Sequence, residues 1–222
     1  DDGGTTSLST NQIGSTVDNA GLFYTSPAID AGGATVTVHL GYTPRATNAN
    51  LTGGGASGAA TLGSAQNAGI TISHDSGLKL GVYANEITRL SSLGNNSFEG
   101  TWYASYAMGP VSVGYQQSYV DRGISGAAEA VGTSVTVGAA TGNFEGDQYA
   151  ITMNLNDNLS VSYASADDTY DANDINQADV TMSMKSIQAA YSMGSMSIKA
   201  LRQTTDNPGY DSGGASNEST EI

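Results

Sequence analysis

The 222-residue chain is long enough for one large domain or two small ones, and its 29 glycines, 12 tyrosines and 13% charged residues are unusual for a globule. Seven basic against 21 acidic residues give a net charge of −14, which excludes nucleic acid as a partner because phosphate binding needs a basic face. The lack of cysteine excludes a disulfide framework and a thiolate metal site, and no run of about 18 apolar residues is present to form a transmembrane helix.

Residues 1–19 are polar and aperiodic and read as the end of a loop. The first predicted strand is AGLFYTSPAI at 20–29; a short turn at 30–33 leads to the second, ATVTVHLGYT at 34–43. Val36, Val38, Leu40 and Tyr42 there alternate with Thr35, Thr37, His39 and Gly41, the period of two that marks a strand with one apolar face. A Gly/Ala/Asn/Ser loop follows at 44–67. Its Gly53-Gly54-Gly55 has no Lys-Ser/Thr after it and is no phosphate cradle. Strands are predicted at 68–74, with Ile70 and Ile72 outward, and at 78–87, with Leu78, Leu80, Val82 and Ala84 opposite Lys79, Gly81, Tyr83 and Asn85.

After a loop at 88–97 comes a hairpin that the chain repeats. SYAMGPVSVGYQ at 105–116 turns tightly at Met108-Gly109-Pro110, and the same design recurs in ITMNLNDNLSVSY around Asp157 and in IQAAYSMGSMSIKAL around Gly194. These give strands at about 147–155, 159–165, 184–192 and 196–203. Between them lie a loop at 120–146, where SVTVGAA suggests a short extra strand, and an acidic loop at 166–180. Residues 219–222 read as the start of one more strand. The ends, DDGGTTSLST and SNESTEI, look cut from something longer.

The connections alternate strictly, short then long. Long ones far exceed the usual 2–5 residues of a hairpin loop. A soluble sandwich mixes loop lengths at both ends, whereas an outer-membrane barrel has short turns at one end, long loops at the other, and tilted strands of about 9–11 residues. In lipid the apolar parity must face outward from a closed sheet. The other parity is then wet and lines the lumen: His39, Lys79, Gln116, Gln148, Asn154 and Lys199 are its candidate pore-lining residues. Lys79 and Lys199 fall just after short turns, low in such a lumen, where fixed charge orients passing solutes. Tyr106, Tyr115, Tyr163 and Tyr191, near strand ends on the outward parity, fit interfacial aromatic belts.

The repeated hairpins SYAMGPVSVGY and AYSMGSMSIKAL, with the ending RQTTDNPGYDSGGASNESTEI, resemble a Gram-negative general porin of the alphaproteobacterial type. That resemblance implies a single domain over 1–222, an all-β, transmembrane, antiparallel up-and-down barrel in the bacterial outer membrane. It further implies a homotrimer of sixteen-stranded barrels, closed by a strand with a terminal aromatic, that passes ions and small hydrophilic solutes. This chain shows ten strand candidates plus a stub and lacks the aromatic. In the family register the strand at 20 would be the sixth, and 1–19 the tail of the inward-folded loop, with Asp1, Asp2 and Asp18 lining the pore. An open sheet cannot satisfy its edges in lipid, so the 222-residue chain alone is expected not to conduct.

Other chemistry is sparse. His39 and His74 are the only histidines, with no nucleophile motif around them. Asp167, Asp168, Asp171 and Asp174 offer oxygens to a Ca²⁺ ion, the one cofactor the sequence suggests, but without the glycine and distal glutamate of an EF-hand; a solvated acidic loop is the competing reading. Two alternatives to a pore stay open, a β-rich adhesin or exported structural protein whose acidic loops bind, and a hydrolase carried on a barrel.

Overall fold

The computed structural model describes residues 21–44, 62–89, 96–121, 123, 142–171 and 178–222. They form twelve strands: β1 (Leu22–Thr25), β2 (Ile29–Asp30), β3 (Ala34–Thr43), β4 (Leu62–His74), β5 (Leu78–Arg89), β6 (Ser97–Met108), β7 (Val111–Asp121), β8 (Asn143–Asn156), β9 (Leu159–Asp171), β10 (Val180–Met193), β11 (Met196–Asp206) and β12 (Asn217–Glu221). All belong to one up-and-down antiparallel sheet in the order β1-β3-β4-β5-β6-β7-β8-β9-β10-β11-β12, with β2 beside β3. Among the described residues β1 and β12 are its two edges, and the sheet is an open wall. A single 3₁₀ turn, Pro208–Tyr210, is the only helical piece among them.

The tight turns are set by local chemistry. Gly77, Gly109 and Gly194 have φ of 93°, 57° and 61°, values that a side chain disfavours and glycine adopts freely. At the turn between β8 and β9, Asn156 Oδ1 instead accepts from Asn158 N (2.9 Å) and Leu159 N (3.0 Å), an Asx turn.

The predicted first strand divides in two at Pro27, which has no N–H to give the ladder. Ser26 covers the gap: its N donates to Val38 O at 2.9 Å and its Oγ accepts from Val38 N at 3.0 Å.

At the loop end the strands run further than the alternation predicts. β4 begins at Leu62, β8 at Asn143 and β10 at Val180, while β9 continues to Asp171. Backbone pairing does not depend on which faces are apolar, and there the pattern changes parity. Val120, Phe144, Tyr170, Val180 and Met182 form a buried cluster with Tyr210, on the parity that is polar lower down. The expected acidic loop is thus strand as far as Asp171. The extra strand expected at SVTVGAA lies outside the described residues.

Candidate functional site

Residues directly opposite in an antiparallel ladder share a face, so the register sorts every strand residue. One cross-strand line reads Thr37, Thr71, Gly81, Tyr103, Gln116, Gln148, Ala166 and Met184 from β3 to β10. Six of the predicted lining residues share this face. Gln116 and Gln148 stand directly opposite each other. Asn154, Ser160, Ala190 and Lys199 form one line near the tight turns, and Lys79 lies between Ser73 and Ser105. The two lysines stand far apart along the wall, on β5 and β11. His39 is part of the wall's packing, with Nδ1 3.3 Å from Thr25 Oγ1 and its ring 5.8 Å from that of Tyr83. His74 Nδ1 is likewise engaged by Ser76, 2.8 Å from its Oγ and 3.0 Å from its N.

This face is the more enclosed, concave one: Thr43, Asn85, Ser97, Ser118 and Thr205 are buried on it, whereas the exposed large apolar side chains of β3 to β11 lie on the other. A hollow of about 490 Å³ is bounded by six adjacent strands, β6 to β11, through Ser105, Gln116, Gln148, Ala166, Ser186 and Gln203. Two tyrosines on the same face lie flat against it. A Cβ built on Gly69 would run into the ring of Tyr83, and one on Gly81 into the ring of Tyr103. The glycines let the aromatic rings lie on the wall instead of standing out from it. Gly81→Ala is therefore expected to lift the Tyr103 ring and to cost about 1–3 kcal/mol, as overpacking does; a urea refolding titration of the variant checks this.

Of the acidic candidates, Asp1, Asp2, Asp18 and Asp174 lie outside the described residues. Asp167 and Asp168 do not converge on an ion: as neighbours in β9 they point to opposite faces. Asp167 accepts from Ser183 Oγ at 2.5 Å, whereas Asp168 is fully buried on the concave face. Asp171 ends β9 on Asp167's face, opposite Asn143. Among the described residues no group of three His, Cys, Asp or Glu is placed to hold a metal; the fourth aspartate of the run, Asp174, lies outside them.

The convex face carries an apolar band that crosses the ladder obliquely. One line runs Val38, Ile70, Val82, Trp102, then Gln117, Asp147, Asp167, Ser183 and Asp206: it leaves the apolar zone between β6 and β7. Nearer the turns, Leu78, Tyr106, Val113, Ile151, Tyr163 and Ile187 are followed by Arg202 and Thr220, so this line leaves it between β10 and β11. The edge drops four residues, from 183 to 187 on β10, over four strands. The turns follow the same slope. The line from Met108 and Val111 at the β6–β7 turn reaches Ala189, four residues short of the turn at Met193, four strands on. One residue per strand, at about 3.4 Å along against about 4.8 Å across, is an inclination of about 35°. Closed membrane barrels tilt their strands by about 35–45°. On β10 the apolar run from Ile187 to Met193 covers about 20 Å of strand, or about 17 Å along the resulting axis.

Aromatic residues border the band near its loop-side edge. Trp102 and Tyr115 rings lie 5.3 Å apart, Tyr149 and Tyr163 6.2 Å, and Phe98 and Tyr119 6.4 Å. Trp102 Nε1 donates to Gln117 Oε1 at 3.0 Å, Gln117 Nε2 donates to Asp147 Oδ1 at 2.8 Å, and the Tyr115 hydroxyl donates to the same oxygen. The sequence reading missed this network, although Tyr115-x-Gln117 and Asp147-x-Tyr149 each place a polar group beside an aromatic on one parity. Farther along, Arg202 and Glu218 form an exposed ion pair at 2.8 Å, which adds little stability.

No family model and no curated protein matches the chain. A solved structure described as a porin refined at 1.8 Å matches with a TM-score of 0.55 and 14% sequence identity, over 85% of this chain and 57% of that one. The likeness is one of fold: an all-β, antiparallel, up-and-down wall of porin type. The chain spans 57% of the length of that porin.

Proposed function

We propose that the chain is part of the wall of an outer-membrane porin through which ions and small hydrophilic solutes diffuse passively. The observation that carries this reading is the oblique apolar band. Its inclination and its aromatic border suit lipid on the convex face, and the concave face carries Gln116, Gln148, Asn154, Lys79 and Lys199. An adhesin would present Leu40, Val82, Ile151, Ile187 and Ile198, all exposed, to water as one contiguous patch, well beyond the few hundred Å² that soluble monomers usually tolerate. The hairpins resemble those of alphaproteobacterial general porins, and the proposal takes from that resemblance a sixteen-stranded barrel, a trimer and a transport role without catalysis.

The test is planar-bilayer conductance of the full-length protein purified in detergent. Stepwise, ohmic, long-lived openings are expected. In a salt gradient, Lys79→Glu and Lys199→Glu should each move the reversal potential toward cation preference, because each replaces a fixed positive charge on the lumen wall by a negative one. Standing six strands apart, the two shifts should be close to additive. A folded barrel that passes no current overturns the pore; unchanged reversal potentials remove the lysines from it.

A further inference from the structure

The connection from β11 to β12 does not stand away from the sheet. Tyr210 is 4% exposed, its ring 5.4 Å from that of Phe144 on β8 and 6.1 Å from that of Tyr170 on β9. Val180 and Met182 of β10 complete its surroundings. Leaving β11, the chain has therefore folded back over the concave side of β10 and β9 as far as β8, three strand spacings or about 14 Å. Asn207 Nδ2 donates to Thr181 O at 2.8 Å and fixes the start of this path. The backbone is bent to suit it: Asn207, Gly209 and Tyr210 have φ of 50°, 68° and 62°. A tyrosine holds such a left-handed conformation only where its surroundings over-determine it, and here the buried ring does so. Beyond it, Gly213 N donates to Asp211 Oδ1 at 3.0 Å and Ser216 Oγ to Asp206 Oδ1 at 2.5 Å, so the returning limb is tied as well.

Resting on the pore reading above, we propose that 207–216 is an inward strap that narrows the lumen at its loop-side mouth, anchored by Tyr210, and that it sets the largest hydrophilic solute admitted. The buried cluster beneath it, Val120, Phe144, Tyr170, Val180 and Met182, is the seat that receives the strap.

The test uses the full-length protein reconstituted in liposomes and planar bilayers, with neutral sugars of increasing size as solutes. Tyr210→Ala should admit larger sugars and raise single-channel conductance, on the order of 1.5-fold for a mouth relieved over one part of its rim. It should also expose Asp211 to an aspartate-directed protease. Tyr210→Phe, which keeps the ring, should retain the wild-type cut-off and protection. Asn207→Ala, outside the aromatic cluster, should shift both readouts in the direction of Tyr210→Ala and decides the matter if Tyr210→Ala does not fold. Cleavage at Asp211 with an unchanged size limit overturns the strap as a filter, and an unaltered digestion pattern in both variants overturns the anchor. A wild-type protein that passes neither ions nor sugars fails the pore reading instead, a result separable from the other two.

Discussion

Ile187→Arg is expected to destabilise the refolded full-length protein in lipid vesicles by about 1–2 kcal/mol, less than the roughly 2–4 kcal/mol of a guanidinium at the bilayer midplane because Ile187 is the outermost apolar residue of the band on β10. Gln188→Arg, one residue along, should be near neutral. Both positions lie on β10, but Ile187 is 60% exposed on the convex face while Gln188 belongs to the concave face with Ser162 and Leu201. In water the first substitution would also be a mild surface change, within about 0.5 kcal/mol, so its cost reports on the solvent. The chain already places a lysine two residues higher on the same parity, at 185, next to Ser165 and Thr204. The band's edge therefore passes between 185 and 187, and the penalty should shrink in thinner bilayers. Urea titrations of both variants in vesicles of two acyl-chain lengths make the measurement. Equal, small effects at 187 and 188 would remove the lipid from the convex face.

Much of this wall is legible in the sequence wherever its outward face is apolar. There the period of two is clean. Turn glycines such as Gly109 and Gly194 pin the register, and parity alone brings His39, Lys79, Gln116, Gln148, Asn154 and Lys199 to one side. Legibility fails where that face turns polar. Above the band Asp147, Asp167 and Ser183 occupy the outward positions, so 166–171 looks like a polar loop although it is paired strand. The Trp102–Gln117–Asp147 network joins three strands through residues 15 and 30 positions apart, a separation that no window captures until the register is known. Tyr210 follows Asn-Pro-Gly, a plain turn signal; nothing local says which way the loop folds. The inclination of the wall was implicit in the turn positions, but it needs the partner list to become an angle.

That change of parity makes Phe144→Ala the most costly truncation expected in the described residues, at about 3–5 kcal/mol. Even-numbered positions along β8 are polar or small from Gly146 to Asn154, and a strict alternation would class 144 with them as wet. The ring is instead 1% exposed, packed on Tyr170 at 5.1 Å and on Tyr210 at 5.4 Å. Removing it leaves a void under the strap and between two strands that the surrounding chain can fill only in part. Because the cluster lies beyond the outward apolar band, its loss should cost the same in thick and thin bilayers, in contrast to Ile187→Arg. Phe144→Leu, which retains most of the volume, should recover more than half of the loss. A cost below about 1 kcal/mol would match an exposed side chain on a loop. It would mean that β8 begins near 147, where the alternation itself begins. A cost in the core range, insensitive to lipid, means that the strands continue beyond the membrane as a second, water-facing structure with its own apolar interior, and that the mouth of the wall is built on it.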